Sequence, residues 1–138
     1  MSRVETHEAA YQDFFDSSPG MKPVFEALRQ TVFGACPGVS MRRGASQLGF
    51  YCPSPFLAVW LPIRKTIRGR PPEYLIVSLF STQRIDSPRM ESIIEPYPKR
   101  WTHHIILSNA AQIDNELVSL IQQAYCSHLP EQLKADKT

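Results

Sequence analysis

The sequence predicts an α+β fold: an antiparallel sheet of about four to six strands, with two N-terminal helices and one C-terminal helix packed largely on one face. Three observations predict it. Apolar residues recur at helical spacing near both ends of the chain. The middle carries short apolar or alternating runs of strand length. Proline and glycine clusters separate these segments.

Taken in order, the first helix is expected between Thr6 and Asp16, where Ala10, Tyr11, Phe14 and Phe15 repeat at helical spacing and Thr6 is placed to cap the start. Ser17-Ser18-Pro19-Gly20 breaks it. A second helix follows, with Pro23 in the first turn and Val24, Phe25, Leu28, Val32 and Phe33 along the buried stripe, and Cys36-Pro37-Gly38 ends it. Ser46 to Cys52 alternates Leu48, Phe50 and Cys52 against Gln47, Gly49 and Tyr51. Pro53-Ser54-Pro55 then turns the chain into a neighbouring antiparallel strand, Phe56 to Leu61. Beyond the basic loop Arg64 to Arg70 and Pro71-Pro72, the run Tyr74 to Phe80 is apolar on both faces and suits the centre of a sheet. Ser87 to Arg100 contains Pro88, Pro96 and Pro98 around Ile93-Ile94, which predicts one helical turn and then an irregular crossing. Thr102 to Leu107 reads as a strand. Asn109 with Gln112 forms a capping box, with Ser108 as an alternative cap. The last helix then spans Ala110 to Ser127 with Ile113, Leu117, Leu120, Ile121, Ala124 and Tyr125 inward.

A chain of 138 residues buries roughly 70% of its unfolded surface, so one domain over residues 1–130 with a loose tail at 131–138 is expected. A net charge of +2 is too small to imply a polyanionic partner. Glu5, His7, Glu8, Gln12, Asp13 and Asp16 interrupt any secretory leader, and the longest apolar runs fall far short of the ~20 residues of a membrane span. A cytoplasmic protein that does not enter membranes is the expectation. Cys36, Cys52 and Cys126, three cysteines at long spacings without a Cys-x-x-Cys element, read as reduced structural residues.

The order of a helix ending in Cys36-Pro37-Gly38, two aromatic-rich strands, Ser87-Pro88-Arg89, Arg100-Trp101-Thr102-His103-His104, and Ile113-Asp114-Asn115-Glu116-Leu117 with Ala124-Tyr125 resembles domain-of-unknown-function family 5655. The resemblance covers roughly Pro23 to His128 and carries no established reaction. It implies a likeness to YdhG-like domains, small α+β proteins often compared with frataxins and in some members discussed as iron chaperones. Members commonly have a lysine and threonine entering the first strand, where this chain has Ser46-Gln47. An iron role would draw on an acidic first helix, here Glu5, Glu8, Asp13 and Asp16, residues that also suit an ordinary solvated helix face.

The residues themselves offer no nucleophile elbow, phosphate loop, zinc-protease element or dinucleotide fingerprint, so they favour a binding module over an enzyme and imply no cofactor. A cysteine nucleophile would need Cys36, Cys52 or Cys126 to meet His103 or His104 in space. His103 and His104, adjacent in a strand, point to opposite faces and cannot share a metal. At least one is expected to be hydrogen-bonded and partly buried. The other would face a pocket near Arg89, Arg100 or Tyr97. Tyr51, Trp60, Arg84, Arg89, Arg100, Trp101 and one of His103 and His104 are the candidate lining of a concave patch on the sheet face away from the helices, for a small anionic ligand or a partner protein. Arg42, Arg43, Arg64, Lys65, Arg68 and Arg70, with Tyr51, Trp60 and Tyr74, give a weaker case for single-stranded nucleic acid. Asp114 and Glu116 are explained by the helix dipole. Both a monomer and a homodimer fit the sequence.

Overall fold

Proline punctuation and helical periodicity set the first regular element. The computed structural model describes residues 11, 13–52, 54–62 and 73–128. In it a 3-10 turn at Pro19–Met21 runs directly into helix α1, Lys22–Ala35, with Pro23 in the first turn, where a missing N–H loses no helical bond. Helix α1 stops at Cys36, and the chain leaves through Gly38, whose φ of 80° lies in the left-handed region that glycine enters without a steric penalty. Its inward stripe is Val24, Phe25, Leu28 and Val32, all buried.

Six strands follow: β1 Ser40–Arg43, β2 Gln47–Tyr51, β3 Pro55–Trp60, β4 Leu75–Ser81, β5 Ser92–Tyr97 and β6 Arg100–Leu107. They are joined antiparallel in the order β1-β2-β3-β4-β6-β5. Helix α2, Asn115–Ser127, closes the described chain. Register aligns one face of the sheet: Leu57 opposes Leu79, Val59 opposes Val77, and Val77 and Leu79 oppose Ile105 and His103. On that face Leu48, Phe50, Leu57, Val59, Val77, Leu79 and Ile105 pack with the inward stripe of α1 and with Leu117, Ile121 and Ala124 of α2. Each of these Val, Leu, Ile and Phe side chains, fully buried, stabilises the fold by roughly 1.5–3 kcal/mol. The opposite face carries Trp60, Ile76, His104 and Ile106, half-buried, around the buried Ala58 and Ser78.

The structure corrects the expectation of two N-terminal helices: among the described residues a single α-helix precedes the sheet. Part of the expected first helix, residues 6–10 and 12, lies outside the described residues. Residues 13–17 are turns closed by i to i+3 bonds from the amides of Phe14, Asp16 and Ser18. Asp13, Asp16, Ser17 and Ser18 favour such turns because their side chains compete for backbone groups, and Pro19 bars helical geometry at Ser18. The helical spacing still reported burial, since Tyr11 and Phe15 are in the core.

Two strands were not expected. β1 has a single buried residue, Met41, and β5 lies where an irregular crossing is predicted. Pro96 is tolerated there because β5 is an edge strand and its register slips between Ile94 and Tyr97. The last helix also starts later than expected. The Gln112 side-chain oxygen accepts from the amides of Ser108 at 2.7 Å and Asn109 at 3.3 Å, closing a 3-10 turn at Ala110–Gln112. Asp114 then caps a new helix by accepting from the Leu117 amide at 2.9 Å.

Candidate functional site

Four chain segments remote in sequence meet at one end of the sheet around a cleft of about 590 Å³. The β2–β3 turn brings Ser54 and Pro55. The end of β4 brings Phe80, Ser81 and Thr82, the β5–β6 hairpin brings Pro96, Tyr97, Pro98, Arg100, Trp101 and Thr102, and the end of α2 brings His128. The hairpin is tight because Tyr97 pairs with Arg100, leaving Pro98-Lys99 as the turn. Proline first and a positive φ second, 62° at Lys99, is the pattern of a type II turn. The Lys99 amide donates to Glu95 Oε2 at 3.0 Å.

His128 ties the cleft floor together. A carbonyl only accepts, so the 2.9 Å contact with the Phe80 carbonyl puts the proton on Nε2 and leaves Nδ1 to accept from Ser54 Oγ at 3.3 Å. Arg100 is exposed and has no ion-pair partner among the described residues. The Arg84 guanidinium lies over the Trp101 ring, 5.6 Å from its centroid, held by Asp86 Oδ1 at 2.7 Å from its Nε.

The expected ligand residues therefore do not form one patch. Arg100 and Trp101 line the cleft, and Arg84 lies over the Trp101 ring. Trp60 and His104 meet on the sheet face away from the helices: Trp60 Nε1 donates to Ser78 Oγ at 3.0 Å, and Ser78 Oγ lies 2.9 Å from His104 Nδ1. Ser78 is fully buried, so its own proton needs an acceptor, and His104 Nδ1 supplies one. Tyr51 stands four residues along β2 from Gln47, the partner of Trp60, roughly 13 Å away. Its ring carries the Arg42 guanidinium at 4.6 Å and crosses Gly49 so closely that a Cβ there would lie 2.9 Å from it. Arg89 sits at the start of α2, against Asp114 at 2.9 Å, Glu116 at 3.2 Å and the Gln112 carbonyl at 2.7 Å.

His103 is in the core, at 0% exposure. The Ile85 amide donates to its Nε2 at 2.8 Å, so Nδ1 carries the proton and donates to the Leu79 carbonyl at 3.0 Å. Burial, which outweighs the Leu79 bond, holds its pKa below the ordinary value, and burial followed by the neighbouring His103 does the same for His104. Both rings are neutral, and both are committed to protein partners at Nδ1.

The three cysteines are free thiols, Cys36 buried and the other two half-buried. Cys52 Sγ lies 3.7 Å from the Pro37 carbonyl, which also accepts from the Tyr125 hydroxyl. Burial, then the nearby thiols, pushes the Tyr125 phenol up to about 12.

Of the acidic set considered for iron, Glu5 and Glu8 lie outside the described residues, and Asp13 is paired with Arg43, whose hydrogen bond holds its carboxyl below the usual range. Among the described residues no three His, Cys, Asp or Glu side chains stand together as a metal site, and no helix is long and apolar enough to cross a membrane. The basic loop Arg64 to Arg70 lies outside the described residues.

Ser54, Thr82 and His128 carried no sequence signal, because nothing in their local pattern says that three element ends converge. Compared with curated proteins and with solved structures, the chain has no match. One family does match, over residues 11–128, which takes in the sheet, both helices and every residue of the cleft: the chain belongs to the family described as Domain of unknown function (DUF5655).

Proposed function

We propose that this chain is a binding module that takes a small anionic ligand in the cleft at the end of β4 and β6. Arg100 carries this reading. It is an exposed guanidinium without an ion-pair partner among the described residues, on the lip of a concave site whose described lining contains no Asp or Glu. A cation in a hollow walled by Phe80, Trp101 and three prolines acts through less water than one on an open surface, so its field on a carboxylate or phosphate is stronger. The fork of donors suits bidentate contact with either anion. Thr82 and Thr102 add hydroxyls, and the volume lies within the range of small-molecule sites, about 300–1,000 Å³.

Thermal unfolding against a panel of small carboxylates and phosphates tests the reading. At least one anion raises the midpoint of the native protein, and the rise is lost in Arg100→Gln, which removes charge from an exposed side chain and leaves the fold alone. An anion that stabilises both proteins equally, or a panel without effect, rejects the cleft as an anion site.

A second reading, association with another protein or a second copy, is favoured by β5. Its Ile94 and Tyr97 are 50% and 70% exposed, large apolar side chains on an edge strand. Light scattering across a concentration series tests it, with Ile94→Lys expected to shift any dimer to monomer.

A further inference from the structure

We infer that the cleft also holds a nucleophile: Ser54, with His128 as its general base, forms an acyl-transfer centre for small carboxylic esters. The inference goes beyond the anion reading above and does not use Arg100. Three observations carry it. First, hydroxyl and imidazole are already joined. Ser54 Oγ donates to His128 Nδ1 at 3.3 Å, and the other ring nitrogen donates to the Phe80 carbonyl at 2.9 Å. A nucleophile, its base and a third group that orients the base are what identify an activated serine, whatever the fold. Here a backbone carbonyl stands third, as an asparagine does in Cys-His-Asn sites. The hydroxyl bond is long, as catalytic bonds often are before substrate arrives.

Second, Ser54 is exposed and His128 is half-buried, and both line the cleft. A substrate can therefore reach the hydroxyl, while the base is fixed where the end of α2 meets the end of β4. Third, Ser54 stands in Pro53-Ser54-Pro55. A following proline disfavours helical geometry at Ser54, and prolines carry no N–H, so the Ser54 amide is the one backbone donor of the tripeptide. No described group accepts from it. An amide on the nucleophile's own residue is placed to stabilise the oxyanion that forms when a serine attacks a carbonyl.

In the forward step Ser54 Oγ bonds to the ester carbonyl carbon and its proton passes to His128 Nδ1. The imidazolium keeps its Nε2 proton on the Phe80 carbonyl, and the carbonyl electron pair moves to oxygen beside the Ser54 amide. Collapse breaks the bond to the leaving alcohol, which takes the proton from Nδ1, and leaves an acyl ester on Ser54. Water attacks that ester by the same route, releasing the carboxylic acid and restoring the hydroxyl. The ester and one water supply every atom. Pro55 and Phe80, which share the cleft lining with the pair, suit a short apolar acyl group.

The full chain is incubated with p-nitrophenyl acetate, nitrophenol release is followed, and acetyl groups are placed by mass spectrometry of peptides. Acetyl is expected on Ser54, with release faster than in buffer. Ser54→Ala removes one exposed hydroxyl, keeps the native Tm and loses both signals. His128→Gln slows acetylation of Ser54 by roughly a hundredfold or more. Because His128 also ties the cleft floor, Ser54→Cys is the second variant: it keeps the base and is acetylated at residue 54 at least as fast as the native protein. Acetyl confined to lysines, or equal release from the native protein and Ser54→Ala, overturns the acyl-transfer centre and leaves the anion reading to its own panel. Acetylation of Ser54 that is equally fast in a folded His128→Gln overturns it as well.

Discussion

Strand β6 passes from one kind of environment to another within eight residues. Its middle, at His103 and His104, is pinned between β4 and β5, and each imidazole holds a protein partner at hydrogen-bond distance. Its start, at Arg100 and Trp101, belongs to a hairpin tip that has a strained turn residue and an exposed cation without an ion-pair partner among the described residues. The contrast teaches where this fold can bind something. A group already satisfied by backbone has little left to offer a ligand, whereas the tip presents donors and ring faces that the fold does not use. The rigid middle fixes where they point.

The sharpest way to break the contrast is to empty the middle. His103→Ala strands the Ile85 amide and the Leu79 carbonyl without their partner and opens a hole in a fully buried position, a loss of about 3 kcal/mol or more. His104→Ala, on the half-buried opposite face, loses one bond to Ser78 and is expected to cost about 1 kcal/mol. Urea unfolding of the two variants checks the ratio, and similar losses would mean that the faces are not distinct.

Acid should act on the same pair. Both imidazoles are held below the ordinary histidine value of 6.5, so in the window beneath 6.5 the unfolded chain binds protons that the folded chain does not. Stability from this source is complete above pH 6.5, declines as pH falls below it, and stops declining at the depressed folded values. The slope is at most about 1.4 kcal/mol per pH unit for each histidine. Asp13 and Asp114, whose carboxyls are held below an ordinary value of 3.8 by hydrogen bonds, act in a separate and more acidic window. Urea midpoints are expected to stay close between pH 8 and pH 6.5 and to drop at pH 5.5 in the native protein, and to drop less in His104→Gln. A flat profile down to pH 5.5 would show that neither ring resists protonation.

Ser78→Ala is a finer cut. It removes the hydroxyl that accepts from Trp60 and donates to His104, so two half-buried groups lose their partner together, for about 1–2 kcal/mol. Ser78→Thr keeps the hydroxyl but must fit a methyl between Ala58 and His104, its neighbours in register, and is expected to recover only part of the loss. Full stability in Ser78→Ala would mean that water replaces the hydroxyl at no loss.

The same contrast explains what could be read from the sequence. The central strands were legible because two neighbours and a covered face demand apolar residues at most positions, as in Leu75-Ile76-Val77. β1 was not, because an edge strand with two adjacent arginines and one buried methionine satisfies the fold with little apolar content. β5 was hidden by Pro96, which an interior strand would exclude and an edge strand accepts. Arg100 and Trp101 stood out as a cation and an indole opening the strand that ends in Ile105-Ile106-Leu107. His128 and Ser54 could not, since their meeting depends on where the end of α2 lands relative to the β2–β3 turn, 74 residues away in sequence.

The smallest effect tests the hairpin tip itself. Lys99 holds a φ of 62°, a conformation that brings Cβ too near the following carbonyl and costs a residue other than glycine roughly 1–2 kcal/mol. Lys99→Gly removes that strain but gives the unfolded chain more freedom, which takes back roughly 0.5–1 kcal/mol. The net expectation is a gain of about 0.5 kcal/mol, or about 2 °C in Tm for a chain of this size. Lys99→Val goes the other way by about 1 kcal/mol, because a β-branched side chain tolerates the left-handed region least. Neither touches the pinned middle, so the pH profile should be the same in both. If Lys99→Val matches the native protein in Tm, the tip does not keep its left-handed turn, and Tyr97 and Arg100 are not held at the spacing that their paired register gives them.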